Sequence, residues 1–207
     1  MSDGALGGVS VGGSLTRDRI IVEADQLFYE QGFEHASFAQ IAKALGISRG
    51  NFYYHFKTKD EILDAVISHR LVRTRSMLDG WELEGETPID RVRSFINILI
   101  VNGAKIRRYG CPVGTLCAEL TKLNHPARDH AKELFTLFRV WLRRQFEQLG
   151  LGDEADELAM HLLGFSQGVA TLSSTFNDDK FVQNEVNRIN EWLTSVTTRA
   201  EVQPEIL

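Results

Sequence analysis

The chain of 207 residues carries only two cysteines, Cys111 and Cys117. Two thiols are too few for a disulfide framework, and their spacing fits no common metal motif, so a reducing, cytoplasmic setting is the expectation. No run of 18 apolar residues occurs, which argues against a membrane-spanning helix. The N-terminus lacks the basic stretch and apolar core of a secretion signal. A basic excess is also missing, since the formal net charge is -5, and the whole molecule does not present itself as a polycation. The six histidines show no ligand spacing, and neither paired carboxylates nor a nucleophile with its base can be found. The expectation is therefore no enzyme, no metal and no cofactor.

Strand alternation and hairpin pairs are absent as well. What remains is helical periodicity, and the expected fold is all-α with about nine helices. Residues 1–14 hold five glycines and read as a flexible arm. A helix over 16–31 lines up Ile20, Ile21, Ala24, Leu27 and Phe28 on one stripe, with Thr16 as its N-cap. Ser37 with Gln40 is a capping box opening a helix over 38–45, and Gly46 is its C-cap. Ser48 then caps a short helix from Arg49 to Tyr54. So close a stop and start bends the chain into a helix-turn-helix. Thr58 with Glu61 opens the next helix, which reaches about residue 80. Beyond an acidic linker, Thr87-Pro88 starts a helix expected to run to Gly110. Further helices are expected over 113–123, from Pro126 to Leu149, over 154–176 and over 180–198, with 201–207 a frayed tail.

The segment 43–59 concentrates the chemistry, with four basic residues (Lys43, Arg49, Lys57, Lys59) and no acidic one. Arg49, Gly50 and Asn51 open the short helix, where unpaired N–H groups favour a phosphate. Arg49 can bond guanine or phosphate, and Asn51 can pair with adenine. Phe52 and Phe56, four apart, are the expected anchors, which leaves at least one of Tyr53 and Tyr54 pointing outward.

These residues carry a resemblance. Ala24-Asp25-Gln26-Leu27-Phe28, Gly32-Phe33, the run from Ile41 to Ser48 and the run from Asn51 to Leu63 resemble the N-terminal domain of TetR-family transcriptional regulators. The resemblance covers about a quarter of the chain. It implies a DNA-binding domain over 15–62 and an effector-binding and dimerisation domain over 63–200. It also implies a homodimer on a palindromic double-stranded operator, acting as a repressor released by a small apolar or amphipathic ligand. Thr16, Ser37, Ser48, Arg49, Gly50, Asn51, Tyr53, Tyr54, His55 and Lys59 are the expected DNA-facing residues. The run from Gly110 to Leu120 is similar to a segment of one subgroup of these regulators.

In the C-terminal half, an aromatic surplus (Phe95, Phe135, Phe138, Trp141, Phe165, Phe176) suggests an apolar pocket. Asn97, Cys117, Phe138, Trp141, Met160, His161 and Phe165 are the expected ligand-facing residues. Gly164 and Gly168, four apart, allow close backbone approach. With Leu158, Leu162, Phe165, Val169, Leu172, Ile189 and Leu193 they form the expected dimer interface. Cys111, ahead of Pro112 at a helix start, is a candidate redox or electrophile sensor.

Overall fold

The computed structural model describes the backbone of residues 11–202 and the side chains of 15–199. Among these residues there are ten α-helices and one 3-10 turn, and no strand. No described helix is long and apolar enough to cross a membrane. The expected arm over 1–14 and tail over 201–207 fall largely outside the described residues. Where they overlap, both are helical: α1 (Val11–Gln31) begins before Thr16, and α10 (Asp179–Val202) runs past 200. The chain divides into two compact units between His69 and Arg70, inside α4 (Lys59–Glu84) and later than the expected 62/63 boundary.

In the first unit, α1 packs on α2 (Phe38–Leu45), and α3 (Arg49–His55) follows across a three-residue break. Ile20, Ala24 and Phe28 from α1 close the core with Ile41, Phe52, Phe56 and the buried start of α4 at Ile62, Leu63 and Val66. Gly46 ends α2 with φ +66°, and its N–H and that of Ile47 turn back to the carbonyls of Lys43 and Ala42. Only glycine takes that conformation without steric cost. Such local chemistry is why this bend forms where the sequence places it.

In the second unit, α5 (Pro88–Val101), α8 (Arg128–Gln148), α9 (Ala155–Phe176) and α10 surround a single apolar core. The 3-10 turn Gly152–Glu154 folds α9 back against α8. The helix expected to run from Pro88 to Gly110 is instead two, because Asn102 leaves helical geometry and α6 (Gly103–Tyr109) restarts after it. Asn-Gly is a turn signal, which accounts for the tenth helix. Next comes α7 (Pro112–Lys122), whose neighbour Arg70 is buried and donates to the Pro112 carbonyl at 2.6 Å.

Glu82, near the end of α4, is the hub of this unit's polar contacts. Its carboxylate accepts from Gln145 at 2.7 Å, pairs with Arg91 at 3.0 Å and meets Arg144. Burial works to raise its pKa. The hydrogen bonds and positive charges around it outweigh that, and the carboxyl sits below its ordinary 4.5. Sequence periodicity does not register such a network, because its members come from three helices.

Candidate nucleic-acid interface

Helix α3 has seven residues, far below the length that holds a helix together in water. It persists because Phe52 is 1% exposed and Phe56, the residue that stops it, is 2% exposed. Burying one such ring is worth about 1.5–3 kcal/mol. Ser48 completes the start by accepting the Asn51 N–H at 3.2 Å. With Phe52 turned inward, Arg49, Gly50, Asn51, Tyr53 and Tyr54 all face solvent. Both tyrosines are therefore presented, where the sequence required only one.

The presented rings are not loose. Tyr53 lies edge-on to Phe38 of α2 at 5.5 Å, and Phe38 packs on Phe52 at 4.9 Å. Phe38 is half-buried and carries Tyr53. An aromatic at the first position of α2, facing two aromatics on α3, was the signal for this. Tyr54 meets His55 edge-on at 5.0 Å, and Lys57 donates its ammonium to the Tyr53 carbonyl.

Ser37 caps α2 in a full box: its hydroxyl accepts the Gln40 N–H at 3.3 Å and Gln40 Oε1 accepts the Ser37 N–H at 2.8 Å. Thr58 caps α4 by accepting the Glu61 N–H at 3.1 Å, but the Glu61 carboxylate returns to the N–H of Lys57 at 2.7 Å rather than to that of Thr58. One expectation needs correction here. Thr16 lies inside α1, which begins at Val11, and is not its N-cap. Lys59 is the first residue of α4, and its ammonium donates to the Glu34 carbonyl at 2.8 Å and lies 4.6 Å from the centre of the Phe33 ring. Lys59 therefore straps the turn after α1 to the start of α4.

The second unit divides the expected ligand and dimer residues differently. Phe138 and Trp141 are buried in the core, Phe165 is partly buried, and Cys117 is half-buried. Asn97, Met160 and His161 are exposed, with the His161 ring tilted against Trp192 at 4.6 Å, so these three stand outside the aromatic core. Phe176 is 71% exposed and leaves the aromatic set. Of the expected interface, Leu158, Leu162, Val169, Ile189 and Leu193 are buried inside their own chain. They are core residues and cannot meet a second copy. Gly164, Gly168 and Leu172 are exposed and, with Met160, form a stripe every four residues along α9.

Cys111 caps α7, its sulfur accepting from the Gly114 N–H at 3.5 Å and from Gln167 at 3.4 Å. Burial, together with the nearby Cys111, pushes the Cys117 thiol up to about 11, which keeps it protonated and unreactive. Six residues along a helix rise about 9 Å, beyond the roughly 7 Å limit for bridging two α-carbons. Among the described residues no group of three or more His, Cys, Asp or Glu could hold a metal ion.

A short helix held outward by its own aromatic anchors, behind a glycine-capped bend on an all-helical body, defines a helix-turn-helix DNA reader. Comparison with known proteins agrees. The family described as "Bacterial regulatory proteins, tetR family" matches residues 20–66, and that described as "Transcriptional regulator LmrA/YxaF-like, C-terminal domain" matches 88–185. An uncharacterised HTH-type regulator from the lacX 3' region of Lactococcus lactis is 30% identical over 123 residues, 58% of this chain and 63% of that protein. The match thus spans less than two thirds of that relative. The uncharacterised regulator YxaF of Bacillus subtilis is 25% identical over 170 residues, covering 80% and 87% of the two chains. A TetR regulator from Legionella pneumophila superposes with a TM-score of 0.76 at 23% identity, over 85% of this chain and 96% of that one. The chain belongs to the TetR family, a family of transcriptional regulators and not of enzymes.

Proposed function

We propose that this protein is a homodimeric repressor that reads a palindromic operator and lets go of it when a small apolar or amphipathic ligand binds in the second unit. The observation that carries this reading is the exposed row Arg49, Gly50, Asn51, Tyr53 and Tyr54 on a helix whose other face is fixed by Phe52. Arg49 and Asn51 supply the donors that read base edges, and the tyrosine hydroxyls and the N–H groups at the start of α3 supply phosphate contacts. The stripe Met160, Gly164, Gly168 and Leu172 is the surface offered to the second copy. Two copies of α3 then enter successive major grooves about 34–36 Å apart. Release is a population shift: the ligand binds more tightly to the conformation whose two heads no longer match that spacing.

Selection of bound sequences from a random DNA pool tests the first half. The expected result is an inverted repeat with half-sites one helical turn apart. A screen of apolar compounds for loss of fluorescence anisotropy on that DNA tests the second. A pool with no enriched sequence overturns the operator reading, and saturable ligands that leave the DNA bound overturn the release.

A further inference from the structure

The second unit holds a buried donor that the protein leaves unanswered. Trp141 of α8 is 6% exposed, and its indole N–H has no hydrogen-bond partner among the described residues. Its surroundings are aromatic. Trp81 of α4 lies 5.5 Å away at 56°, and Phe138, one turn earlier on α8, lies 5.6 Å from Phe95 of α5. The nearby amide of Gln145 offers no relief, because it is committed to Glu82, to Arg91 and to the Trp141 carbonyl. Apart from this N–H, the only buried side-chain polar atom without a partner among the described residues is Asn190 Oδ1, whose own amide nitrogen donates to Val186 at 2.8 Å.

A buried polar group that finds no partner destabilises the fold, and phenylalanine at position 141 would avoid that cost. Native proteins pair nearly all such groups. An indole N–H buried beside an aromatic cluster with no partner is therefore best explained by an acceptor that arrives from outside.

We propose that Trp141 Nε1 is the hydrogen-bond donor of the effector site, which lies among α4, α5 and α8 and takes a flat apolar molecule bearing an acceptor oxygen or nitrogen. The inference rests on the ligand-responsive reading above and adds the ligand's chemistry. Trp81, Phe95 and Phe138 provide faces and edges for a flat body, and the N–H fixes its orientation. A ligand without an acceptor leaves the donor buried and unpaired, so the site discriminates against it.

Fluorene and 9-fluorenone share one tricyclic frame and differ by a carbonyl oxygen. Titration calorimetry on the full chain is expected to give about tenfold tighter binding of the ketone, equivalent to about 1.4 kcal/mol. Trp141→Phe removes the donor and is expected to make the two compounds equal. Replacement of Trp141 by benzothienylalanine, which keeps the bicyclic ring and lacks the N–H, gives the same answer should the smaller ring disturb folding. Equal affinity in the unmodified protein overturns the assignment, as a water already bound to the N–H would dictate. Survival of the preference in both variants, or failure of both compounds to bind, overturns it too. A different compound that releases operator equally from native and variant protein overturns the Trp141 assignment and leaves the ligand-responsive reading intact. Ketone binding with the expected preference but no release of operator supports the Trp141 contact and counts against release.

Discussion

At the scale of single residues, Tyr53 and Lys59 are both near the reading helix and do different work. Tyr53 is 47% exposed with its ring held edge-on against Phe38, so about half of it is open to a partner outside the chain. Lys59 is bound to the Glu34 carbonyl and lies over Phe33, so it holds the unit together. Tyr53→Ala is expected to weaken operator binding by about 1–3 kcal/mol while lowering the free protein's melting temperature only slightly, through the lost contact with Phe38. Tyr53→Phe loses the hydroxyl alone, about 1 kcal/mol. Lys59→Ala is expected to lower the melting temperature of the free protein. Anisotropy titrations beside thermal melts separate the two, and a Tyr53→Ala protein that melts early but binds normally would reverse the assignment. Sequence alone distinguished neither role. It placed both residues at the surface of a short helix or at a helix start, and the partner of Lys59 lies 25 positions away in the chain.

At the scale of elements, the legible features are those whose cause is local. The Gly46 stop and the Ser48 and Thr87 starts stand where the sequence put them, because a glycine φ or a side-chain cap is decided within four residues. The interruption of α5 at Asn102 is equally local, but the apolar run from Ile98 to Val101 just before it reads as a helix that continues. The network at Glu82 was not legible, since α4, α5 and α8 each contribute to it. That network has a pH signature. A carboxyl held below its ordinary 4.5 binds protons more readily in the unfolded chain. Its stabilisation is therefore full above the unfolded value and is lost as pH falls through the lower folded one. Glu82→Gln is expected to cost about 1–2 kcal/mol near neutrality, and the gap to the unaltered protein is expected to close as the pH drops below 4.5. Urea melts at a series of pH values measure it. A constant gap across the acid range would remove Glu82 as its source.

At the scale of the whole molecule, the question is which apolar surface the proposed second copy would cover. Periodicity puts apolar residues on several faces of α9, but it does not tell the face packed inside the chain from the face left over. Leu158, Leu162 and Val169 occupy the inner one, and Gly164 and Gly168 lie on the outer one. A Cβ added at either glycine would meet nothing within 4 Å in the isolated chain. Glycine is also a poor helix interior residue, by about 0.8–1.0 kcal/mol against alanine. In one chain by itself, the pair Gly164→Gln and Gly168→Gln therefore adds helix stability, and the new Cβ atoms clash with nothing. Across a dimer the same side chains would hold the two α9 helices apart. The double variant is expected to keep its helical circular dichroism and to sediment as a monomer at micromolar concentration. Without its partner, each head binds a half-site alone, and operator affinity is expected to fall by about a hundredfold or more. A double variant that still sediments as a dimer with full operator affinity would place the contact between copies on another face of the molecule.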